Sequence, residues 1–307
     1  MVDTQYSKSM ANTNGKILLT GASGTIGKEI AKLFSFKNIS IRAGIHSLNK
    51  LNNINEQKIE IIELDYFNIP TIVNSVKNIQ TIILITPNIP EQVEIATTII
   101  DYAKDAGVEY IIKLSSTGAA KEIGTLVGRL HRIVERYIFC SGLDYTIIRS
   151  TALMQNFINM YSITNNKIAL PWSNSKVSFI NSKDIANFIF NILNTKSSIS
   201  RNEHSKKIYT ITSSESLNLY EIAEIFSSII GKRIIYEDIS LENAKNQLKS
   251  LVKSDWEINA IMELFEYFKK GSNAILTNTY EEVTKQKPTT FAEFVKTNIE
   301  KFKLFTR

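Results

Sequence analysis

The sequence predicts an α/β protein built on a doubly wound parallel sheet, and three observations lead to it. A short apolar run at residues 17–19 opens directly into glycines at positions 21, 24 and 27. Further Ile-rich runs then alternate with helical patterns up to Arg149. After Arg149 the regular alternation fades, which indicates a smaller C-terminal α/β lobe. The first part is therefore expected to be of the Rossmann type.

Each predicted element has its own local justification. Short apolar strands, buried on both faces as in a parallel sheet, are expected at residues 40–45, 59–64, 81–86, 110–114 and 145–149. A helix at 90–106 starts with proline in its first turn and ends at Gly107. Further helices are predicted at residues 25–34, 124–140, 184–193, 219–230, 241–252, 256–270 and 291–302, with a strand at 208–212.

The composition argues against several classes of protein. No apolar run approaches the roughly 20 residues that span a bilayer, and the polar start lacks a signal-peptide core, so we expect a cytoplasmic protein without membrane contact. The single cysteine, Cys140, excludes an internal disulfide and is expected to be a buried thiol beside Phe139. The net charge of +6 is spread along the chain, which argues against a nucleic-acid surface. The three scattered histidines predict no metal site.

The glycine turn has the spacing of a dinucleotide phosphate cradle. Gly21 lets the chain leave the strand, Gly24 lets the backbone approach a pyrophosphate, and Gly27 lets helix and strand pack closely. The N-terminus of the following helix, near Thr25, binds the negative charge without a lysine. No Walker lysine follows the last glycine, so an NTP-hydrolysing P-loop is not expected. A tight turn without a ligand is the alternative.

The predicted organisation follows from this turn. Residues 1–14 are expected to be a disordered tail, and residues 15–150 an NAD(P)-binding Rossmann domain. Residues 151–307 are expected to form a substrate lobe, with some segments returning to the Rossmann core. Within this lobe, residues 150–178 mix aromatic and polar side chains and predict long loops over a pocket.

The adenosine end of the site is expected after the second strand, since ligands bind outside the carboxyl ends of parallel strands. His46 stands where an acidic residue normally holds the ribose 2′-hydroxyl. His46, Ser47 and Lys50 can instead receive a 2′-phosphate, so NADP(H) is favoured and NAD(H) is possible. Packing of His46 against the adenine is the alternative.

Two later strand ends supply further candidate contacts. Asp65 either accepts a hydrogen bond from the adenine amine or caps the helix beginning near Ile69, and the sequence weighs these roles equally. Thr86 and Pro87 are expected to line the groove beside the nicotinamide ribose, with a plain turn as the alternative.

The fifth strand ends at Ser115, where short-chain dehydrogenases carry the serine that polarises a carbonyl. In those enzymes Tyr-x-x-x-Lys follows, with the tyrosine as general acid. Alignment on Glu135 puts Val127 in the tyrosine position and His131 in the lysine position. The substrate should therefore accept hydride without a strong protein acid. His131 is expected to bond the cofactor ribose or to donate a proton, with helix packing as the alternative.

Several stretches resemble the NmrA-like branch of the atypical short-chain dehydrogenase/reductases, especially the triphenylmethane reductases and quinone oxidoreductases. They are residues 19–27 (Leu-Thr-Gly-Ala-Ser-Gly-Thr-Ile-Gly), 86–93, 128–135 with 141–149, 154–157, 177–186 and 291–295. The likeness covers nearly everything from residue 16 to residue 295. Where that family often has arginine this chain has His46, and where it often has tryptophan this chain has Leu130.

The resemblance implies a Rossmann domain with a small C-terminal lobe, NAD(P)H binding, and either reduction of quinones or dyes or cofactor sensing without catalysis. Carried onto this chain, it implies a pyrophosphate cradle of Gly21, Ser23, Gly24, Thr25, Ile26 and Gly27, nicotinamide contacts from Thr86, Pro87 and Ser115, and substrate contacts from Gln155, Asn156 and Phe157.

The leading hypothesis is an NAD(P)H-dependent reductase of a quinone, azo compound or similar planar small molecule, in which water or His131 supplies the proton. The first alternative is a non-catalytic NAD(P)-binding redox sensor of the NmrA type that acts on a protein partner. Reduction of an imine in a biosynthetic pathway is a third reading. The expected assembly is a monomer or homodimer.

Overall fold

The computed structural model describes residues 16–46, 58–121, 124–161, 163–193 and 203–305. The chain divides into two compact units. The first comprises residues 1–116, 130–149 and 185–209, and the second comprises residues 117–129, 150–184 and 210–307. The predicted tail at 1–14 and the candidate residues Ser47 and Lys50 lie outside the described residues.

The described strands and helices follow one another along the chain as the alternating pattern predicts. The strands are β1 Lys16–Leu19, β2 Ile41–Ile45, β3 Ile59–Glu63, β4 Ile79–Leu84, β5 Tyr110–Ser116, β6 Asp144–Ser150, β7 Ala152–Leu153, β8 Lys167–Leu170, β9 Val177–Ile180, β10 Lys207–Ile211, β11 Ser216–Leu217 and β12 Ile235–Asp238. The helices are α1 Thr25–Phe36, α2 Ile69–Ser75, α3 Gln92–Asp105, α4 Leu126–Ser141, α5 Asn156–Asn159, α6 Ser182–Leu193, α7 Leu219–Ile230, α8 Leu241–Leu251, α9 Asp255–Lys269, α10 Thr279–Thr284, α11 Phe291–Thr297 and α12 Ile299–Phe305. Among these helices, none combines the length and the apolar character that crossing a bilayer requires.

A seven-stranded sheet is the frame of the first unit. Its strand order is β10-β6-β5-β4-β1-β2-β3, and the pairs from β3 across to β5 are parallel. The order reverses between β1 and β4, which is the topological switch point of a doubly wound sheet. The predicted Rossmann-type α/β fold is therefore confirmed.

Strand β1 and helix α1 show how the sequence builds this unit. Leu18 and Leu19 are fully buried in the centre of the sheet. Helix α1 buries Ile30, Ala31 and Phe34 on one face and leaves its lysines on the other, which is the amphipathic pattern of a helix packed on a sheet. The switch point therefore lies at the carboxyl end of a buried strand, where β1 leads into α1.

The second unit has smaller sheets and an aromatic core. A three-stranded sheet has the order β11-β9-β7, and β12 pairs with β8. Phe157 packs edge-on against Phe291 at 5.1 Å between ring centroids and against Phe179 at 5.5 Å. Trp172, 1% exposed, packs against Phe268 at 4.9 Å. Burial of these rings holds the small sheets and the C-terminal helices together.

Residues 150–178 differ from the prediction of long loops over a pocket. This stretch contains β7, α5 and β8 and leads into β9. Its aromatic side chains, including Trp172, are buried in the core of the second unit. The sequence has few regular apolar repeats here because the elements are only two to four residues long, and their stability comes from tertiary contacts.

The residues at the helix ends explain why one predicted helix has the expected bounds and another does not. Helix α7 has the predicted bounds because Asn218 and Glu221 form a capping box and Gly231 ends the helix in the left-handed conformation, with φ of 76°. The predicted helix at 291–302 is instead two helices, α11 and α12, separated at Asn298.

Cys140 is exposed, so the prediction of a buried thiol was wrong. Helix α4 buries Val134 and Ile138, while Cys140, two positions after Ile138, lies on the opposite side of the helix. Its neighbour Phe139 is also 40% exposed. The apolar neighbour therefore gave a misleading indication of burial.

We expect Phe157→Ala to destabilise the second unit by about 3–5 kcal/mol, because it leaves a cavity among buried rings. Both tryptophans of the chain, Trp172 and Trp256, belong to this unit, so their fluorescence during urea unfolding reports the loss. Leu251→Ala, at a position 76% exposed, is the matched control and should change the free energy by less than about 0.5 kcal/mol. Equal midpoints for the two variants would contradict the central packing role of Phe157.

Candidate functional site

The glycine turn joins β1 to α1 at the switch point, and two of its glycines are required by the chain's own backbone. Gly21 has a φ of 61°, and a Cβ there would lie 3.1 Å from the carbonyl oxygen of Ile85. A Cβ on Gly27 would lie 2.2 Å from the carbonyl oxygen of Gly21. A side chain is therefore strained at Gly21 and sterically blocked at Gly27, with or without a ligand.

Gly24 is different, because little within the chain demands a glycine there. Its φ of −78° and ψ of 173° suit any residue, and the nearest atom to an added Cβ is the Gly21 carbonyl oxygen at 3.2 Å. Gly24 is exposed at the N-cap of α1, where no side chain caps the helix and the first turn has no acidic residue. A glycine at this place, beside uncapped N–H groups, fits a bound phosphate.

The remaining cradle residues lie around this helix end. Thr25 is exposed, Ser23 and Ile26 are half-buried, and all three belong to the turn or to the first turn of α1. The glycines fix the backbone of these three residues. Their expected contribution to phosphate binding therefore comes from backbone N–H groups more than from side chains.

Hydrogen bonds from neighbouring strand ends hold the turn in place. The Thr20 hydroxyl donates to the Ile85 carbonyl oxygen and accepts from the Ile85 N–H, each at 2.8 Å. The Gly21 N–H donates to the Tyr66 hydroxyl at 3.1 Å, and burial raises the pKa of this tyrosine. Tyr66 was missed by sequence reasoning, although it directly follows the candidate Asp65. The turn is thus fixed to the ends of β3 and β4.

His46 and Asp65 meet at the carboxyl ends of β2 and β3. Nδ1 of His46 lies 3.7 Å from Oδ1 of Asp65, with side chains 68% and 28% exposed. The same Asp65 oxygen accepts the N–H of Phe67 at 3.0 Å, while Asn68 is the N-cap of α2. Asp65 therefore closes a turn before the helix and does not cap it, which removes one of its two predicted roles.

Thr86 and Pro87 lie just beyond β4, which ends at Leu84, two residues before the predicted end. The Pro87 carbonyl oxygen accepts a hydrogen bond from Gln92 at 2.9 Å. The Thr86 hydroxyl accepts one from Nζ of Lys113 at 2.9 Å. Lys113 is fully buried in β5, so its side chain runs beneath the strand ends and reaches the edge of the sheet at Thr86.

Ser115 belongs to a buried ion-pair network. Its hydroxyl donates to Oε1 of Glu135 at 2.6 Å. Arg149 donates to both carboxylate oxygens of Glu135, from Nε at 3.0 Å and from Nη2 at 2.6 Å. Glu135 is 1% exposed, and the two-point contact with Arg149 balances its charge. The hydroxyl proton of Ser115 is thus directed at Glu135, which makes it a poor donor to a substrate carbonyl in this geometry.

His131 is one turn before Glu135 on α4 and is 7% exposed. In the described part of the chain its Nδ1 is buried without a hydrogen-bond partner. Burial, reinforced by the charge of Lys113, holds the pKa of His131 well below its ordinary value. The imidazole is therefore neutral near pH 7, and a neutral imidazole can donate a hydrogen bond but supplies no acidic proton.

Lys113 is a second strongly perturbed base of this group, beside His131. Burial lowers its pKa to about 7, while the nearby charge of Glu135 acts in the opposite direction. A pKa near neutrality suits a group that takes up and releases protons at the working pH. Sequence reasoning missed this residue, although a lysine inside the apolar strand Tyr110-Ile-Ile-Lys-Leu is a detectable signal, since lysine is almost never fully buried unless it is paired.

The three residues expected to line the substrate side belong to the second unit and are engaged there. The side-chain amide of Gln155 donates to Oδ1 of Asn181 at 2.7 Å and accepts from the N–H of Ser182 at 3.0 Å. Asn156 begins α5 and is half-buried. Phe157 has no exposed surface. For Gln155 and Phe157 the structure gives a packing role, and their contact with a substrate stays a prediction.

Comparison with known proteins agrees with this fold. The family model of the NmrA-like family matches residues 13–295. The NAD(P)H azoreductase of Xenophilus azovorans is 26% identical over 288 residues, which cover 93% of this chain and 99% of that protein. The resemblance stated from the sequence is thereby confirmed.

Solved structures show the same fold at lower identity. The NADPH-dependent quinone oxidoreductase QOR2 of Escherichia coli, complexed with NADPH, has a TM-score of 0.81 at 20% identity, covering 92% of this chain and 99% of that chain. NmrA, a negative transcriptional regulator solved with NADP and with NAD, has a TM-score of 0.75 at 13% identity, covering 94% of this chain and 97% of that chain. An enzyme and a regulator therefore share this architecture.

We expect Gly27→Ala to destabilise the first unit by about 3 kcal/mol or more, because its Cβ would overlap the backbone at Gly21. Gly24→Ala should lower stability by less than about 1 kcal/mol, since a small shift accommodates it. Chemical denaturation followed by circular dichroism measures both. A larger loss for Gly24→Ala than for Gly27→Ala would contradict the assignment of the two glycines.

We expect stability to rise by about 2 kcal/mol between pH 7 and pH 9 through Lys113 alone. Its folded-state pKa lies below the unfolded value, so the unfolded chain binds more protons in this range and stability increases with pH. Urea titrations of the wild type and of Lys113→Met should diverge in this direction. Lys104→Met, at an exposed position of α3, is the control and should follow the wild type.

Proposed function

This chain belongs to the NmrA-like family, and on that premise we propose that it is an NAD(P)H-dependent reductase of a quinone, azo compound or similar planar electrophile. The observation that carries the proposal is the exposed Gly24 at the uncapped N-terminus of α1. The backbone constrains this position less than Gly21 or Gly27, since an added Cβ would lie 3.2 Å from the Gly21 carbonyl oxygen, and a pyrophosphate bound there would account for the glycine. The similarity to an NAD(P)H azoreductase along nearly the whole chain supports the same reading.

The cofactor would be held across the switch point. The turn from Gly21 to Gly27 would bind the pyrophosphate, His46 and Asp65 would lie on the adenosine side, and Thr86 and Pro87 on the nicotinamide side. When bound, the nicotinamide supplies a hydride. The residues of this chain orient the two halves of the cofactor, and orientation of the reacting groups lowers the barrier by several kcal/mol in general.

We propose NADP(H) as the favoured cofactor, with NAD(H) also accepted. His46 supports this, since a histidine at the end of β2 can face a 2′-phosphate. Asp65 acts against it, because its carboxylate lies 3.7 Å from the same imidazole and repels a phosphate bound there. Because His46 and Asp65 have opposite effects on a bound 2′-phosphate, we expect only a modest preference for NADP(H) over NAD(H).

Ser115 and His131 support a substrate that accepts hydride without a proton from either of these two side chains. Ser115 is bonded to Glu135, and His131 is neutral near pH 7. A quinone or an azo compound delocalises the negative charge it gains, so it is reduced more easily than a simple ketone in such a site.

A cofactor sensor that acts on a protein partner is the second candidate. The buried, neutral His131 favours it, because it stands in the position where short-chain dehydrogenases carry their catalytic lysine. The two candidates differ in one measurement. A reductase turns over an electron acceptor, whereas a sensor binds the cofactor and turns over none.

We expect wild-type protein to be stabilised by NADPH, NADP⁺, NADH and NAD⁺ in thermal-shift titrations, with NADP(H) the stronger pair. At a ligand concentration of 100 times Kd the gain is about 2.7 kcal/mol. NADPH oxidation should then proceed with members of a panel of quinones and azo dyes. Binding without any turnover would support the sensor.

Gly24→Val tests the cradle itself. Its side chain would occupy the space assigned to the pyrophosphate, so we expect at least tenfold weaker binding of all four nucleotides, with a smaller loss of stability than in Gly27→Ala. Phe67→Ala, 69% exposed on the loop after β3, is the control and should bind normally. Undiminished binding by Gly24→Val would reject the cradle and with it the proposed function.

A further inference from the structure

Lys113 has an unusual place in the first unit. It is fully buried in the middle of β5, yet its amino group reaches the hydroxyl of Thr86 at the carboxyl edge of the sheet. Thr86 follows Ile85, whose backbone is bonded on both its N–H and its carbonyl to Thr20 beside the glycine turn. A buried amine is thus connected by one hydroxyl to the crevice where a dinucleotide binds.

The charges around Lys113 compensate its own charge only in part, because Glu135 attracts it while the same carboxylate is bound to Arg149. From α4, Glu135 and His131 face it, and Glu135 is already bonded at both oxygens to Arg149 of β6. The Glu135 and Arg149 charges cancel, and His131 is neutral near pH 7. The cluster therefore carries one net positive charge when Lys113 is protonated and none when it is not.

The amino group of Lys113 lies on the side of the site where the nicotinamide would bind. Strand order puts the pyrophosphate over β1, the adenosine over β2 and β3, and the other half of the cofactor over β4 and β5. A nicotinamide ring is neutral when reduced and positively charged when oxidised. A second positive charge within a buried site is strongly disfavoured, since charges interact far more strongly there than in water.

We propose that Lys113 is a redox-linked proton site, which binds its proton more tightly when a reduced nicotinamide nucleotide is bound than when an oxidised one is bound. The proposal rests on the proposed cofactor binding and adds a role for a residue that this binding does not require. The released proton leaves through the Thr86 hydroxyl. During reduction it becomes available at the edge of the sheet where the acceptor gains a hydride, so Lys113 would supply the proton that His131 cannot.

Isothermal titration calorimetry tests the proposal without any substrate. At pH 7, in buffers of low and high ionisation enthalpy, NADP⁺ binding should release up to about half a proton, because Lys113 is about half protonated there. NADPH binding should release almost none. The ratio of Kd for NADP⁺ to Kd for NADPH should fall about fivefold or more between pH 6 and pH 8.5, as expected if oxidation lowers the pKa of Lys113 by one unit.

Two variants make the test specific. In Lys113→Met the difference in proton release and the pH dependence of the Kd ratio should both disappear, while both nucleotides still bind. Lys104→Met, on the surface of α3, should behave as the wild type. Comparison of oxidised with reduced nucleotide cancels proton uptake by the 2′-phosphate, since both redox forms carry this group.

The outcomes separate this inference from the proposed function. If none of the four nucleotides binds, the proposed function fails and the inference fails with it. If both redox forms bind with equal proton release, or if Lys113→Met keeps the wild-type difference, only the inference fails. Should Lys113→Met not fold, NMR titration of ¹³C-labelled lysine in the wild type gives the same answer: the Lys113 pKa must fall by about one unit or more when NADP⁺ replaces NADPH, and an unchanged pKa overturns the proposal.

Discussion

The close approach of helix α1 to the end of strand β1 is the constraint on which the first unit depends. At Gly27 an added Cβ would come within 2.2 Å of the Gly21 carbonyl oxygen, so helix and strand meet backbone to backbone. This contact fixes the direction of α1 and therefore the place to which its free N–H groups point. Thr20 and Tyr66 then attach the same turn to the neighbouring strands, which makes the anion-binding end of the helix a rigid feature of the sheet.

A buried salt bridge between Glu135 and Arg149 lies near the buried Lys113, and the charge of Glu135 partly offsets the cost of burying the lysine. Glu135 receives three hydrogen bonds, one from Ser115 and two from Arg149, and this satisfies a carboxylate that has almost no exposure. The cost of removing such charges from water is several kcal/mol per ion, so an incomplete network would be unstable. Lys113 remains outside the pair and donates to the hydroxyl of Thr86. Its pKa near 7 reflects this compromise between burial and the field of Glu135.

The second unit is stabilised by the packing of buried aromatic side chains, whereas the first unit contains a buried ion pair. Phe157, Phe179, Phe226 and Phe291 pack edge-on or tilted within one cluster, at centroid separations between 5.1 and 5.9 Å. Such arrangements contribute beyond simple area burial because ring edges and faces carry opposite partial charges. A core of this kind fixes short strands that would be unstable alone. It includes Phe157, which the sequence analysis expected to line the substrate side.

The sequence by itself determined the doubly wound sheet, the glycine turn, and the helices whose ends carry a glycine or a capping residue. These features follow from local pattern, because strand burial, helix amphipathicity and the stereochemistry of glycine act over a few residues. Tertiary structure alone decided which side chains meet: Lys113 with Thr86, Glu135 with Arg149, Tyr66 with Gly21, and Phe157 with the aromatic core. It also reversed the expectation for Cys140. Contacts between residues far apart in the chain, and the pKa values that result from their burial, depend on packing and charge in three dimensions, and no local pattern encodes them.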